Sequence, residues 1–192
     1  MHAILDAAFV AHVGLVAADG RPMVIPMLYA RQDETLIVHG SPATRLLRAL
    51  GKGVDVCLTV TLVDGLVLAR SAFHHSANYR SAVVLGRAEP MEDVAEKTAA
   101  LEFLTARIAP DRVPMLRAMT RKEAIGTSVL RIPIVEASAK VRTGGPVDEE
   151  EDYALPIWAG VVPMTTVYGP PIADERNLPG VVVPDHVLAL AR

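Results

Sequence analysis

Apolar and polar positions alternate in short bursts over the first ninety or so residues of this chain and settle into a longer period only afterwards. Val13-Gly-Leu-Val16 and Pro22-Met-Val-Ile-Pro-Met-Leu-Tyr29 flank Asp19-Gly20, a pair suited to a tight hairpin. A polar turn, Arg31-Gln-Asp-Glu34, leads to Thr35-Leu-Ile-Val-His39, and the three runs predict a meander. Pro22 and Pro26 cannot donate to a ladder, so their strand is expected to be an edge or to open toward something else. Ser41 is placed to cap a short helix, with Pro42 at its first position and Leu46, Leu47 and Leu50 on its apolar face. Gly51 and Gly53 end it. Residues 54–63 and 66–69 read as a second hairpin about Asp64-Gly65.

The period then changes. Val94, Thr98, Leu101, Leu104 and Ile108 recur at three- and four-residue spacing and predict a long helix over 92–108. A shorter helical piece follows at 120–124, then returning strands at 127–135 and 136–141. An acidic cluster, Asp148-Glu-Glu-Glu-Asp152, precedes a last apolar segment at 155–163. Strands joined by turns, with a short and a long helix between them, predict a mainly β fold with flanking helices, a small antiparallel barrel. Its expected extent is residues 1–164. A tail rich in proline and glycine, 165–192, is expected to wrap the surface or a neighbouring subunit.

Composition narrows the function classes. The chain has 192 residues, 51% hydrophobic and 21% charged, which suits one folded domain. A net charge of −3 argues against nucleic-acid binding through a basic surface. Cys57 stands alone, which excludes an intramolecular disulfide, and its apolar setting predicts a buried side chain. The amino terminus carries no basic region followed by a long apolar segment, and the most apolar stretch, 54–69, is broken by Asp55 and Asp64. The expectation is a cytoplasmic protein with no membrane partner.

Candidate chemistry concentrates between two apolar runs, in Leu68-Ala-Arg-Ser-Ala-Phe-His-His-Ser-Ala-Asn-Tyr-Arg-Ser-Ala-Val-Val-Leu-Gly86. Polar groups between buried strands need partners. His74 and His75 point to opposite sides of an extended chain, so no metal site is expected, and no serine sits in a nucleophile-elbow pattern. Arg70 and Arg80 suit a phosphate, and Ser71 and Asn78 suit polar ring atoms. A buried turn network with surface arginines is the plainer alternative. His39-Gly-Ser-Pro-Ala-Thr-Arg45 places Arg45 at a helix start, where an anion is favoured; an ordinary capped helix with a solvated arginine is the plainer reading of this motif alone. Lys140 and Arg142 share a strand face, either lining a cleft or solvated. Trp158 either covers an aromatic ring or packs in the core.

These residues resemble a known family. His39-Gly-Ser41 with Arg45, Cys57 to Gly65, Ala69 to Ser81 with Gly86, Ala139-Lys-Val-Arg-Thr-Gly144 and Trp158-Ala-Gly160 are similar to the pyridoxamine 5′-phosphate oxidase-like, FMN-binding split β-barrel family. The nitroimidazole-resistance (Nim-type) branch is the nearest in pattern. The resemblance implies an antiparallel, Greek-key-like split barrel, a homodimer, and FMN at each of two subunit interfaces. It implies a phosphate held near His39, Gly40, Ser41 and Arg45 and by Asn78, Tyr79 and Arg80. It also implies a flavin ring against Val24, Ile25 and Pro26, with His74 close to the flavin. Arg70, Ser71, Lys140, Arg142 and Trp158 complete the expected cofactor set. The function expected is an FMN-dependent oxidoreductase acting on a small aromatic or nitro substrate, with NADH or NADPH as electron donor. A non-catalytic flavin- or haem-binding module is the alternative.

Overall fold

The computed structural model describes residues 1–191; Arg192, the last residue of the expected tail, lies outside them. The meander forms as the pattern predicts. Strands β1 (Val10–Val16), β2 (Pro22–Gln32) and β3 (Thr35–Gly40) pair antiparallel. Gly20 takes φ +80° and Asp33 φ 50° in the two turns, left-handed conformations that glycine and aspartate tolerate. β3 meets β2 only over Tyr29–Gln32. Among the described residues, the side of 22–28 away from β1 carries no strand, so β2 opens where its prolines predict.

Two local expectations are corrected. The short helix α2 spans Arg45–Leu50 and is capped by Thr44, whose hydroxyl accepts from the Leu47 amide at 3.3 Å. Ser41 instead builds the turn before it: its Oγ accepts from the Ala43 amide at 3.3 Å and its carbonyl from the Thr44 amide at 3.1 Å. Asp64-Gly65 is not a hairpin turn. β4 runs unbroken from Asp55 to Leu68, with a bulge at Asp64 where the register passes from Val63↔Tyr79 to Gly65↔Asn78. Both halves of β4 find partners elsewhere: β5 (Ser76–Arg87) lies along its length, and β9 (Gly160–Pro163) pairs with Gly65–Leu68. Gly65 permits that pairing, since a Cβ there would stand 2.9 Å from the Val162 carbonyl oxygen.

The long helix is α3 (Val94–Ile108), capped by Asp93, and α4 (Arg121–Ile125) carries a capping box between Thr120 and Glu123. Strands β6 (Glu89–Pro90), β7 (Ser128–Pro133) and β8 (Glu136–Arg142) complete the sheet. Helices α1 (His2–Asp6) and α5 (Asp185–Leu190) were not apparent from the pattern. Sheet order is β6-β7-β3-β2-β1-β4-β5-β8, with β9 added on β4, and every pairing is antiparallel. The fold is an antiparallel split barrel.

Alternation along each strand fills the interior. Val13, Leu36, Val38, Leu58, Val60, Val84 and Ile132 point inward with Tyr29, whose hydroxyl donates to the Leu5 carbonyl. Burial pushes the Tyr29 phenol well above its usual range. Ile37 faces the other way and packs with Met91, Leu101, Leu104 and Val129 under α3. Cys57 is half-buried rather than buried, because Val56 and Leu58 take the inward positions on either side of it. Residues 165–183 are exposed throughout, so this part of the tail does not wrap its own chain.

β5 passes close to the end of β7 at Gly86, where a Cβ would meet the Pro133 carbonyl oxygen at 2.6 Å. Gly86→Ala is therefore expected to destabilise the fold by about 1–3 kcal/mol, the cost of overpacking a tight site. Gly169→Ala, where a Cβ would meet nothing within 4 Å, should leave stability unchanged. Urea denaturation of the two variants checks this.

Candidate functional site

The structure divides the expected site residues into two sets. The first lies on β2, β3 and the turn before α2. Ile25, Pro26, His39, Ser41, Thr44 and Arg45 line a cavity of about 590 Å³ that opens along the bare side of β2, and Gly40 joins them. Val24 faces a different hollow of about 680 Å³, shared with Gly14, Cys57 and Leu85. Met23, Met27, Leu28, Thr44, Leu46 and Leu47 also line the first cavity, and sequence reasoning did not place them there.

Electrostatics in this cavity suit an anion beside an apolar wall. The Arg45 guanidinium is 66% exposed and its nearest carboxylate, Asp19, is 3.9 Å away, so it is free to take another acceptor. The His39 ring is half-buried, and burial lowers its pKa, which keeps it neutral near pH 7. Its Nδ1 is buried without a hydrogen-bond partner. The same ring also lines a second cavity, about 570 Å³, beside Leu101 and Leu104 of α3.

The second set sits where β4 and β5 extend past β1. β1 pairs with β4 only at Cys57, Leu58 and Thr59, so the end of the β4–β5 hairpin toward Leu68 and Ser76 extends past β1 as an arm. On it, most of the expected polar residues already hold one another. Arg80 places Nε and Nη2 on the Asp64 carboxylate at 2.8 and 2.7 Å. Asn78 is buried; it donates to the Gly144 carbonyl at 3.0 Å and accepts from Arg142 at 2.7 Å. Lys140 lies over the Tyr79 ring, 5.8 Å from its centroid. Trp158 is 67% exposed and packs its ring edge over Gly160 rather than in the core. The cavity against β2 takes no lining from this set.

Arg70 and Ser71 enter the turn that joins β4 to β5, a short 3-10 stretch at Ala72–His74. The Arg70 amide and guanidinium both donate to Asp148, at 2.9 and 3.0 Å, and the Arg70 side chain lies 4.8 Å from the Tyr153 ring centroid. The Asp148 side chain is fully buried. Burial pushes its carboxyl up, but the two Arg70 donors outweigh that and hold it below the ordinary value. Within the acidic cluster Asp148 looks no different from its neighbours, and only the fold separates it from the solvated Glu149–Glu151. His74 stands 3.6 Å from Glu149 and edge-on to Phe73. No cluster of three or more metal-ligating side chains occurs among the described residues, and no helix among them is long and apolar enough to cross a membrane.

Residues 1–141 match the protein family described as pyridoxamine 5′-phosphate oxidase. Over 98% of its length the chain is 46% identical to the flavocytochrome Anf3 from Azotobacter vinelandii, with a TM-score of 0.92 and 87% of that protein covered. It is 39% identical over 98% of its length to a FAD and haem binding protein from Mycobacterium smegmatis, with a TM-score of 0.93 and 92% of that chain covered. A candidate 5-nitroimidazole antibiotic resistance protein from Bacteroides thetaiotaomicron is similar over 72% of this chain and 80% of its own, at 25% identity and a TM-score of 0.61. No curated protein matches.

The Arg70–Asp148 clasp gives a pH signature. A carboxyl whose folded pKa is depressed contributes stability above its unfolded pKa, about 3.9, and loses it as pH falls through the lower folded value. Asp148→Asn is expected to lower the melting temperature at pH 7, with the gap from wild type closing below about pH 3.9. Melting curves of both proteins from pH 2 to 7 decide it; a gap that does not depend on pH would remove the clasp from the account.

Proposed function

The chain belongs to the pyridoxamine 5′-phosphate oxidase family, and from that premise we propose that it is a flavin-binding redox protein that also carries haem. The observation that carries this reading is the cavity against the bare stretch of β2: an apolar strand wall, a neutral imidazole and an exposed guanidinium, with only Asp19 at 3.9 Å, share one cleft of about 590 Å³. That is the size and character of a cofactor site. The flavocytochrome and the FAD and haem binding protein, which resemble this chain almost end to end, support both cofactors.

A flavin supplies hydride and single-electron chemistry. In this cleft Ile25 and Pro26 would form the wall for its ring, with Val24 beside them, and Arg45 with Ser41 would take its phosphate. The orphaned Nδ1 of His39 fits a site completed by a bound group. FMN is the flavin the family pattern implies, while the M. smegmatis relative is described with FAD; both share the ring and a phosphate.

The second set of site residues reaches the cleft only from another copy of the chain. Cross-strand pairs share a face, so Val10, Gly14, Val16, Val24, Leu28, Cys57 and Leu85 form one outward surface of the sheet. Val16 and Val24 on it are 67% and 61% exposed. An exposed face of this kind, apolar but for His12 and Thr59, marks an interaction site, and a homodimer covers it. In that dimer His74 and Trp158 of one copy would face the flavin of the other, with His74 as proton donor to a small substrate and NADH or NADPH as electron donor.

The purified protein is expected to show both flavin bands and a haem Soret band. Anaerobic NADH or NADPH should bleach the flavin and then reduce the haem; cofactors that bind but do not cycle would make the chain a carrier. Arg45→Ala should weaken flavin binding by about 1.5–3 kcal/mol, the scale of a charged hydrogen bond, and unchanged affinity would move the phosphate elsewhere. Val24→Lys is expected to convert the dimer to a monomer in light scattering; a wild-type protein that is itself monomeric overturns the shared site.

A further inference from the structure

A haem in this protein needs an iron ligand, and the structure distinguishes among the chain's six histidines. An iron-binding imidazole has one nitrogen open, while the other usually donates to a carbonyl or carboxylate that fixes the tautomer and the ring plane. His75 has this arrangement. Its Nδ1 lies 2.8 Å from the Ser71 carbonyl oxygen, so the hydrogen sits on Nδ1 and the Nε2 lone pair is left free on an exposed side chain.

The other five are less suited. His74 directs Nε2 toward Glu149 at 3.6 Å. His186 has its Nε2 buried, and His39 has its Nδ1 buried, each without a partner to set the tautomer. His12 lies in the middle of β1, between Pro26 and Thr59, with no hydrogen bond to hold its ring. His2 does engage Glu34, at 3.1 Å, but beside the charged turn of Asp33 and Glu34, whose solvation a porphyrin face would disturb.

The surroundings of His75 suit a flat apolar macrocycle. Phe73, two residues earlier in the same turn, is 89% exposed. Leu66 and Val162, paired across β4 and β9 just beyond the turn, are 46% and 44% exposed. The turn is also held firmly. Its entry is anchored by Arg70 on the buried Asp148, and its first residue both accepts from the His74 amide, at 3.3 Å, and holds the His75 ring. A ligand that must keep its orientation gains from such support.

We infer that His75 is the haem-iron ligand of this protein, through Nε2, with Phe73 against the porphyrin face. This rests on the haem reading above.

Absorption and electron paramagnetic resonance spectra of the full-length haem-loaded protein test it. His75→Ala is expected to shift the Soret band, change the axial signature and weaken haem binding by about tenfold or more, while flavin content and circular dichroism stay as in wild type. Added imidazole should restore the wild-type spectrum. His75→Met, which retains a thioether ligand, should give a distinct spectrum. His2→Ala and His12→Ala should keep the haem spectrum unchanged. A wild-type haem spectrum in His75→Ala, or its loss in His2→Ala or His12→Ala instead, overturns the assignment while leaving haem binding intact. A wild-type protein that takes up no haem overturns the functional reading itself.

Discussion

The β4–β5 ladder carries the rest of this molecule. One half of it is core: Val56, Leu58 and Val60 lie against Ala82 and Val84, all buried, and hydrophobic burial fixes its register. The other half runs beyond β1. A strand pair projecting in this way is stable only if its polar groups and free edges find partners. β8 takes the outer edge of β5, and β9 takes the edge of β4 beyond the bulge. The bulge at Asp64 places a carboxylate where Arg80 meets it with two hydrogen bonds.

Polar and apolar groups on this arm are distributed in an inverted way. Asn78 pairs with Arg142 and Arg70 with the buried Asp148, while Phe73, Leu66, Trp158 and Val162 are left outside. Hydrogen-bonded networks away from water are rigid and orient what they hold, whereas exposed apolar surface favours a ligand or a second protein surface. A rigid polar base under an apolar rim is a good platform for a flat cofactor. The cleft on β2 is complementary: its wall is apolar, and its charge, at Arg45, is exposed and only loosely paired with Asp19.

Much of this was legible in the residues. Spacings of three and four gave α3, Asp19-Gly20 gave the first hairpin, and the prolines of β2 marked the stretch where no strand pairs. Position and partner were harder to read. Ser41 and Thr44 are both good caps, and only the turn between them decides which is used. Asp64-Gly65 has the composition of a hairpin turn, but Gly65 serves there as a site of close approach for β9. Arg80 and Arg45 look alike as phosphate ligands until Asp64 is found on one and not the other.

By itself the sequence determined the class of the fold, its meander, its long helix and the two segments in which polar chemistry concentrates. Each of these depends on residues near one another in the chain, through backbone dihedrals and side-chain period. Tertiary structure alone decided which polar residues are engaged and which are free. Asp148 reaches Arg70 across seventy-eight residues, and Arg142 reaches Asn78 across sixty-four. No local pattern encodes such pairings, because a charge run has the same composition whether it is solvated or buried, and only packing excludes the water that makes the two different.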